Sequence, residues 1–319
     1  MNSRVALVVP YFGKLPIFFP LFLRSVEANP EFSLLLITND VETCSRLALP
    51  ENVNLIEMDF LGVQRRIRLL IGMNSHIKQP YKLCDYRPLY GLIFADELEN
   101  FDFWGHCDLD MLWGDLSAYV TDELLRSFDR LFLHGHFSLY RNAPEVNELG
   151  LRYPDDPCAL SMALATDLPC YFDEVGYPAM ARRRGLRVYE NSSFADITPV
   201  RYCMHLAPIC TASDMPGQRF WWENGHVVRR LQDGSLADEF MYIHFQKRPM
   251  NVCVDSAHTA CWEIRPDGFY SSKTDGEVPV SIVRGEIRQR LAFEMSRLKR
   301  FTPERVRLSA QIKKLRNNL

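Results

Sequence analysis

Near the start of the chain, apolar runs stopped by turn formers alternate with helix-spaced segments, and that alternation predicts an α/β fold. Val5-Ala6-Leu7-Val8-Val9-Pro10 is closed by proline, and Leu34-Leu35-Leu36-Ile37-Thr38-Asn39-Asp40 ends in polar residues. Both read as buried parallel strands. Ile17 to Glu27 has helical apolar spacing between them, and Val53-Asn54-Leu55-Ile56-Glu57-Met58 offers a third strand. Strand, helix, strand implies a doubly wound sheet. Pro88 to Glu99 reads as a helix with apolar Leu89, Leu92, Ile93 and Leu98, and Asp122 to Phe128 as another. Arg130 to Tyr140 reads as one strand, opening onto a less regular half. Further strands are expected at Arg187–Glu190 and Phe240–Phe245, with an aromatic loop at Phe220-Trp221-Trp222-Glu223 between them.

One apolar run ends differently from the rest. Phe103-Trp104-Gly105-His106-Cys107 leads directly into Asp108-Leu109-Asp110. In an extended chain, residues i and i+2 face the same side, so two carboxylates can converge on one cation. Carboxylate oxygens suit Mg²⁺ or Mn²⁺, ions commonly held by one or two carboxylates together with phosphate oxygens. The plainer alternative makes Asp108 and Asp110 turn or cap residues.

Charge changes the picture at one end. The 319 residues carry a formal charge of −3, yet residues 284–319 hold eleven Lys and Arg against three Glu, a net +8. Ile287, Leu291, Met295 and Leu298 recur there at helical spacing, which suits either docking on an anionic membrane surface or packing on the chain's own domain. Nucleic acid is disfavoured as a partner, because the remainder is acidic and no binding motif accompanies the tail. The apolar run Ile17–Leu23 is far short of the roughly 20 residues a membrane span needs. Nine cysteines without a C-x-x-C pair suggest reduced thiols, so the expected location is cytoplasmic.

Four segments occur in order: Pro10-Tyr11-Phe12-Gly13, Pro80-Tyr81-Lys82-Leu83-Cys84-Asp85-Tyr86-Arg87-Pro88, Asp102 to Asp110, and His244-Phe245-Gln246-Lys247-Arg248. Together they resemble a bacterial GT-A glycosyltransferase family of polysaccharide, capsule or O-antigen biosynthesis, over roughly Arg4 to Met250. The resemblance implies a Rossmann-like nucleotide-diphospho-sugar transferase fold with a mixed central sheet. It would occupy residues 1–281, with a nucleotide-sugar half (1–140), an acceptor-side half (141–281) and a basic amphipathic helical tail (282–319). It implies a UDP-sugar or similar donor, Mn²⁺ or Mg²⁺, and a lipid-linked or oligosaccharide acceptor. Asp108 and Asp110 match the motif whose metal holds the donor diphosphate, and His244 matches the histidine that completes the metal site.

Other residues can be placed around that centre. Lys247 and Arg248 lie close enough after His244 to meet the diphosphate, or form a solvated pair. Open α/β sheets bind ligands at the carboxyl ends of their strands, which points the nucleoside to Pro10, Tyr11 and Phe12 and to Thr38 and Asp40, with Tyr11 and Asp40 as plain packing and turn residues the alternative. Lys82 or Arg87 would face phosphate, with Asp85 partly a helix cap. A base for an inverting transfer is sought among Asp155, Asp156, Asp173, Glu174 and Asp196; Asp173 and Glu174, between aromatic residues ahead of an expected helix, are preferred, with plain helix-start acids as the alternative. His134 and His136, alternating on a strand, would line the donor pocket or belong to the core. Two rivals stand beside the transferase: a haloacid dehalogenase-like phosphatase with Asp108 as nucleophile, and a non-catalytic glycan-binding protein on the same fold.

Overall fold

In the computed structural model, the early apolar runs are three parallel strands, β1 (Val5–Tyr11), β2 (Phe32–Thr38) and β3 (Val53–Glu57). Residues 3–72, 77–156, 160–191, 193–199, 204–246, 248–255 and 259–271 are described, with Leu291, Met295 and Lys313 beyond them. The tail expected at 282–319 otherwise lies outside the described residues. Among those residues, no helix is long and apolar enough to cross a membrane.

β4 (Phe103–Cys107) pairs with β1 in parallel, and the main sheet continues through β7 (Phe137–Arg141), β6 (Arg130–His134) and β8 (Val188–Tyr189). The order is β3-β2-β1-β4-β7-β6-β8, and β7 runs antiparallel to both of its neighbours. The sheet is therefore mixed. Both faces of its parallel part are covered. Val5, Leu7 and Val9 join Phe19 and Phe22 of α1 (Phe19–Glu27) on one face, while Ala6 and Val8 join Val63 and Ile67 of a helix at Phe60–Ile71 on the other. Each fully buried Leu or Phe adds about 1.5–3 kcal/mol, so these two layers fix where the strand ends lie.

Two smaller sheets follow among the described residues. β5 (Met111–Trp113), β13 (Tyr242–His244) and β9 (Ala195–Asp196) form one, with β13 in the middle. The other contains β10 (Arg219–Glu223), β11 (His226–Arg230), β12 (Leu236–Phe240), β14 (Asn251–Cys253), β15 (Cys261–Arg265) and β16 (Gly268–Ser271). Trp222 stacks on Trp262 at 4.3 Å and donates its indole N–H to the Trp113 carbonyl at 2.9 Å, joining these two sheets.

Four expectations about elements need correction. The run Arg130–Tyr140 is a hairpin, turning at Gly135, where a Cβ would lie 2.4 Å from Glu174 Oε1. The run Phe240–Phe245 is divided at Met241 between β12 and β13, because a segment buried on every side gives no periodic sign of a change of sheet. Phe220–Glu223 is a strand rather than a loop, with Phe220 and Trp222 buried on one face. The helix expected over Pro88–Glu99 is broken into a 3₁₀ segment, Pro80–Leu89, and two short α-turns either side of Phe94.

Candidate metal centre

Strand pairing assembles the centre. β4 ends beside β1 and delivers Asp108, whose N–H donates to the His136 carbonyl at 3.1 Å. β5 starts immediately after Asp110 and pairs antiparallel with β13, setting Met111 opposite His244, and Phe245 N–H donates to the Asp110 carbonyl at 2.8 Å. β9 pairs with β13 in parallel, setting Asp196 opposite His244. Asp110, His244 and Asp196 are thus brought together by register across three strands.

His244 Nε2 lies 3.3 Å from Asp110 Oδ1 and 3.8 Å from Asp108 Oδ2. One ligand atom from each of Asp108, Asp110 and His244 falls within 4.8 Å of the others. The opposite nitrogen, Nδ1, is 2.8 Å from Asp196 Oδ1, and Gln246 donates to the other oxygen of Asp196 at 2.6 Å. A carboxylate on the far nitrogen of a ligating histidine fixes its orientation and raises its basicity. Burial opposes charge on His244, but hydrogen bonds with Asp110 and Asp196 outweigh it and raise its pKa to about 10. A cation taking Nε2 must therefore displace a proton.

His136 packs against this group with its ring 4.6 Å from that of His244 and its Nδ1 3.0 Å from the Tyr242 hydroxyl. His134 stacks on His136 at 5.2 Å across the hairpin turn, so the two histidines do not alternate along one strand as expected. Burial lowers the pKa of His136 well below the ordinary value and that of His134 to about 4. Neutral rings thus back the centre.

A family model for DUF6625, a family of unknown function, matches residues 7–273. The chain belongs to that family. No curated protein matches it. The matched span contains Asp108, Asp110, Asp196 and His244 and ends before the basic tail.

In this DUF6625 member, Arg87 links the centre to the acids preferred as bases. Its guanidinium donates to Asp108 Oδ1, to the Gly135 carbonyl and, at 3.1 Å, to Asp173 Oδ2. Asp173 is buried and Glu174 exposed, both on a π-turn, Phe172–Gly176, that leads into a helix at Tyr177–Arg183. Burial raises the Asp173 pKa against the pull of Arg87. Glu174 Oε1 accepts from Gly135 N–H at 3.2 Å.

Several candidates prove to be structural. Lys82 and Asp85 do not face a ligand: both side chains are fully buried and their charged ends are 2.8 Å apart. In a 3₁₀ helix, residues i and i+3 eclipse, which aligns them. Asp85 does not cap its helix but accepts from the N–H groups of Cys170 and Phe172, while Lys82 donates to the Leu168 carbonyl. Thr38 is buried with its hydroxyl oxygen accepting from Asp40 N–H, and Asp40 accepts from Leu15 N–H and caps Val41–Ser45 through Thr43 N–H. Arg248 is buried rather than solvated and donates to the carbonyls of Thr198 and Pro266. Asp156 is bound by Arg183 and Arg184, and Asp155 stays exposed. Lys247 lies outside the described residues.

Of the loop at the end of β1, Phe12 packs on Phe60 at 5.5 Å, and Pro10 belongs to the strand. Tyr11 remains at the centre; burial first, then the charges of Asp110 and Asp40, raise its pKa. Asp196, a base candidate by sequence, holds a histidine instead, and nothing in Phe194-Ala195-Asp196-Ile197 marks it for that role.

Proposed function

We propose that this protein is a metal-dependent glycosyltransferase of GT-A type, moving a sugar from a nucleotide diphosphate, with a UDP-sugar the first candidate, to a hydroxyl of a glycan acceptor. The observation that carries this reading is the convergence of Asp108, Asp110 and His244 at the carboxyl end of β4. That strand lies next to β1 in a parallel β3-β2-β1-β4 arrangement, the kind of sheet edge where nucleotide ligands bind.

The donor set fits the cation. Two hard carboxylates and one imidazole, its far nitrogen held by Asp196, suit Mn²⁺ or Mg²⁺, and the imidazole favours Mn²⁺. When bound, the ion supplies positive charge against the departing diphosphate. The protein's residues do the rest. Asp108 and Asp110 orient the ligand set, Asp196 holds the His244 ring, and Tyr11 flanks the site where the nucleoside would enter. Of the two preferred acids, Glu174 is the better base for an inverting transfer, because it is exposed while Asp173 is buried against Arg87.

The acceptor in this reading is a lipid-linked or oligosaccharide chain of bacterial surface polysaccharide, met at the cytoplasmic face of the membrane with residues 282–319 assisting docking. The phosphatase alternative is weakened by Arg87, which holds an oxygen of Asp108, the nucleophile that chemistry would require.

Calorimetric titration of UDP into the protein tests the proposal. Binding is expected with Mn²⁺ and is expected to vanish with EDTA or in Asp110→Ala. Failure of UDP and of the GDP, CMP and dTDP carriers to bind in the presence of Mn²⁺ would sink it.

A further inference from the structure

Arg87 occupies an unusual position for a residue meant only to bind phosphate. One end of its guanidinium donates to Asp108, whose other oxygen faces His244; the other end donates to Asp173 and to the Gly135 carbonyl. The backbone beneath it is fixed. Arg87 sits on the 3₁₀ segment Pro80–Leu89, and the buried Lys82–Asp85 pair on that segment bonds to the stretch Leu168–Phe172, which leads into the turn bearing Asp173. Burial works against charge on Arg87, but Asp108 and Asp173 outweigh it and raise its pKa well above the ordinary value.

A fixed positive charge on a ligand carboxylate has two opposite effects. It neutralises part of the negative charge that attracts a cation, and it attracts the anion that arrives with the nucleotide. The planar fork of arginine also suits the paired oxygens of a diphosphate as well as those of a carboxylate.

We propose that Arg87 is an exchanging counter-charge: it competes with the divalent cation for Asp108 in the absence of nucleotide and transfers to the diphosphate when donor and cation bind together. Asp173 is then the resting partner that sets how firmly Arg87 leans on Asp108. The cation and the diphosphate consequently bind cooperatively, since each removes the obstacle to the other. This inference rests on the proposed metal and donor site and adds its regulation.

Two titrations test it: Mn²⁺ alone, and UDP at saturating Mn²⁺. Arg87→Met is expected to bind Mn²⁺ alone about tenfold more tightly than the native protein and UDP about tenfold more weakly. Asp173→Asn, which leaves Arg87 only Asp108 as an acidic partner, is expected to weaken Mn²⁺ binding about threefold. Arg87→Lys keeps the charge without the fork and is expected to restore Mn²⁺ binding to the native strength while recovering UDP binding only in part. A purely structural role would make Arg87→Met and Asp173→Asn fail in the same direction, and that result overturns the proposal. If Arg87→Met does not fold, the double variant Arg87→Met/Asp173→Asn removes the guanidinium together with the buried acid it binds and must show the same tighter Mn²⁺ binding. Native protein that binds no Mn²⁺ overturns the metal site itself, and this inference with it. Native binding with both single variants weakened overturns only the exchange.

Discussion

Asp196 reaches the candidate cation only through His244. Its carboxylate holds Nδ1 at 2.8 Å, leaving Nε2 turned toward Asp108 and Asp110. Partners of this kind are typically worth 10–100-fold in metal affinity. Asp196→Asn is therefore expected to weaken Mn²⁺ binding by about tenfold in calorimetry while leaving the melting temperature within a few degrees of the native value. Unchanged affinity would show that the ring is held by packing against His136 instead. Asp108 and Asp110 stand out in the sequence because an apolar strand stops abruptly at them. Asp196 does not, since its role comes from a parallel pairing with β13 that no local pattern records. Lys82 misleads in the opposite way: a lysine just before a helix reads as facing phosphate, and the 3₁₀ geometry turns it inward onto Asp85.

Elements are joined by a second group of charges. Asp129, just before β6, accepts from Arg141 of β7 at 3.2 Å and from the backbone and side chain of Arg187, which leads into β8. Burial opposes its charge, but the bonds from Arg187 and then Arg141 outweigh it and lower its pKa. A carboxyl with a folded pKa below its unfolded value of about 3.9 contributes stability that is complete above that value and lost as pH falls through the folded pKa. Asp129→Asn should cost about 1.5–3 kcal/mol in denaturant unfolding at neutral pH, and the difference should close in strong acid. A deficit that persists in acid would assign the effect to shape rather than charge. The strands these charges join were only partly legible. β1 to β4 announce themselves as apolar runs, but the β6–β7 hairpin is hidden because apolar residues lie on both sides of His134-Gly135-His136 and resemble one long strand.

At the scale of the whole molecule, the centre lies where the main sheet meets the three-stranded one. Asp108 and Asp110 lie on the link between β4 and β5, and His244 on β13. A cation held there clamps two sheets that the chain builds far apart in sequence. Ligand binding to the folded state alone stabilises by about 2.7 kcal/mol at a hundredfold excess over Kd. Mn²⁺ at that excess should raise the melting temperature of the native protein in a fluorescence melt and leave that of Asp110→Ala where it was. An equal rise in both would place the ion elsewhere. The α/β class is legible in the order of apolar runs, but this meeting of sheets is not, because the division at Met241 falls inside an unbroken apolar segment.

The same division of labour has a consequence for synthesis. The two aspartates leave the ribosome early, while the histidine that faces them arrives with the later half of the chain. Until β13 has been made and has found β5, the nascent chain holds two neighbouring carboxylates and no third donor, a weak and unselective grip on any ion. Full capture of a cation at this site would thus mark a chain in which β13 has paired with β5.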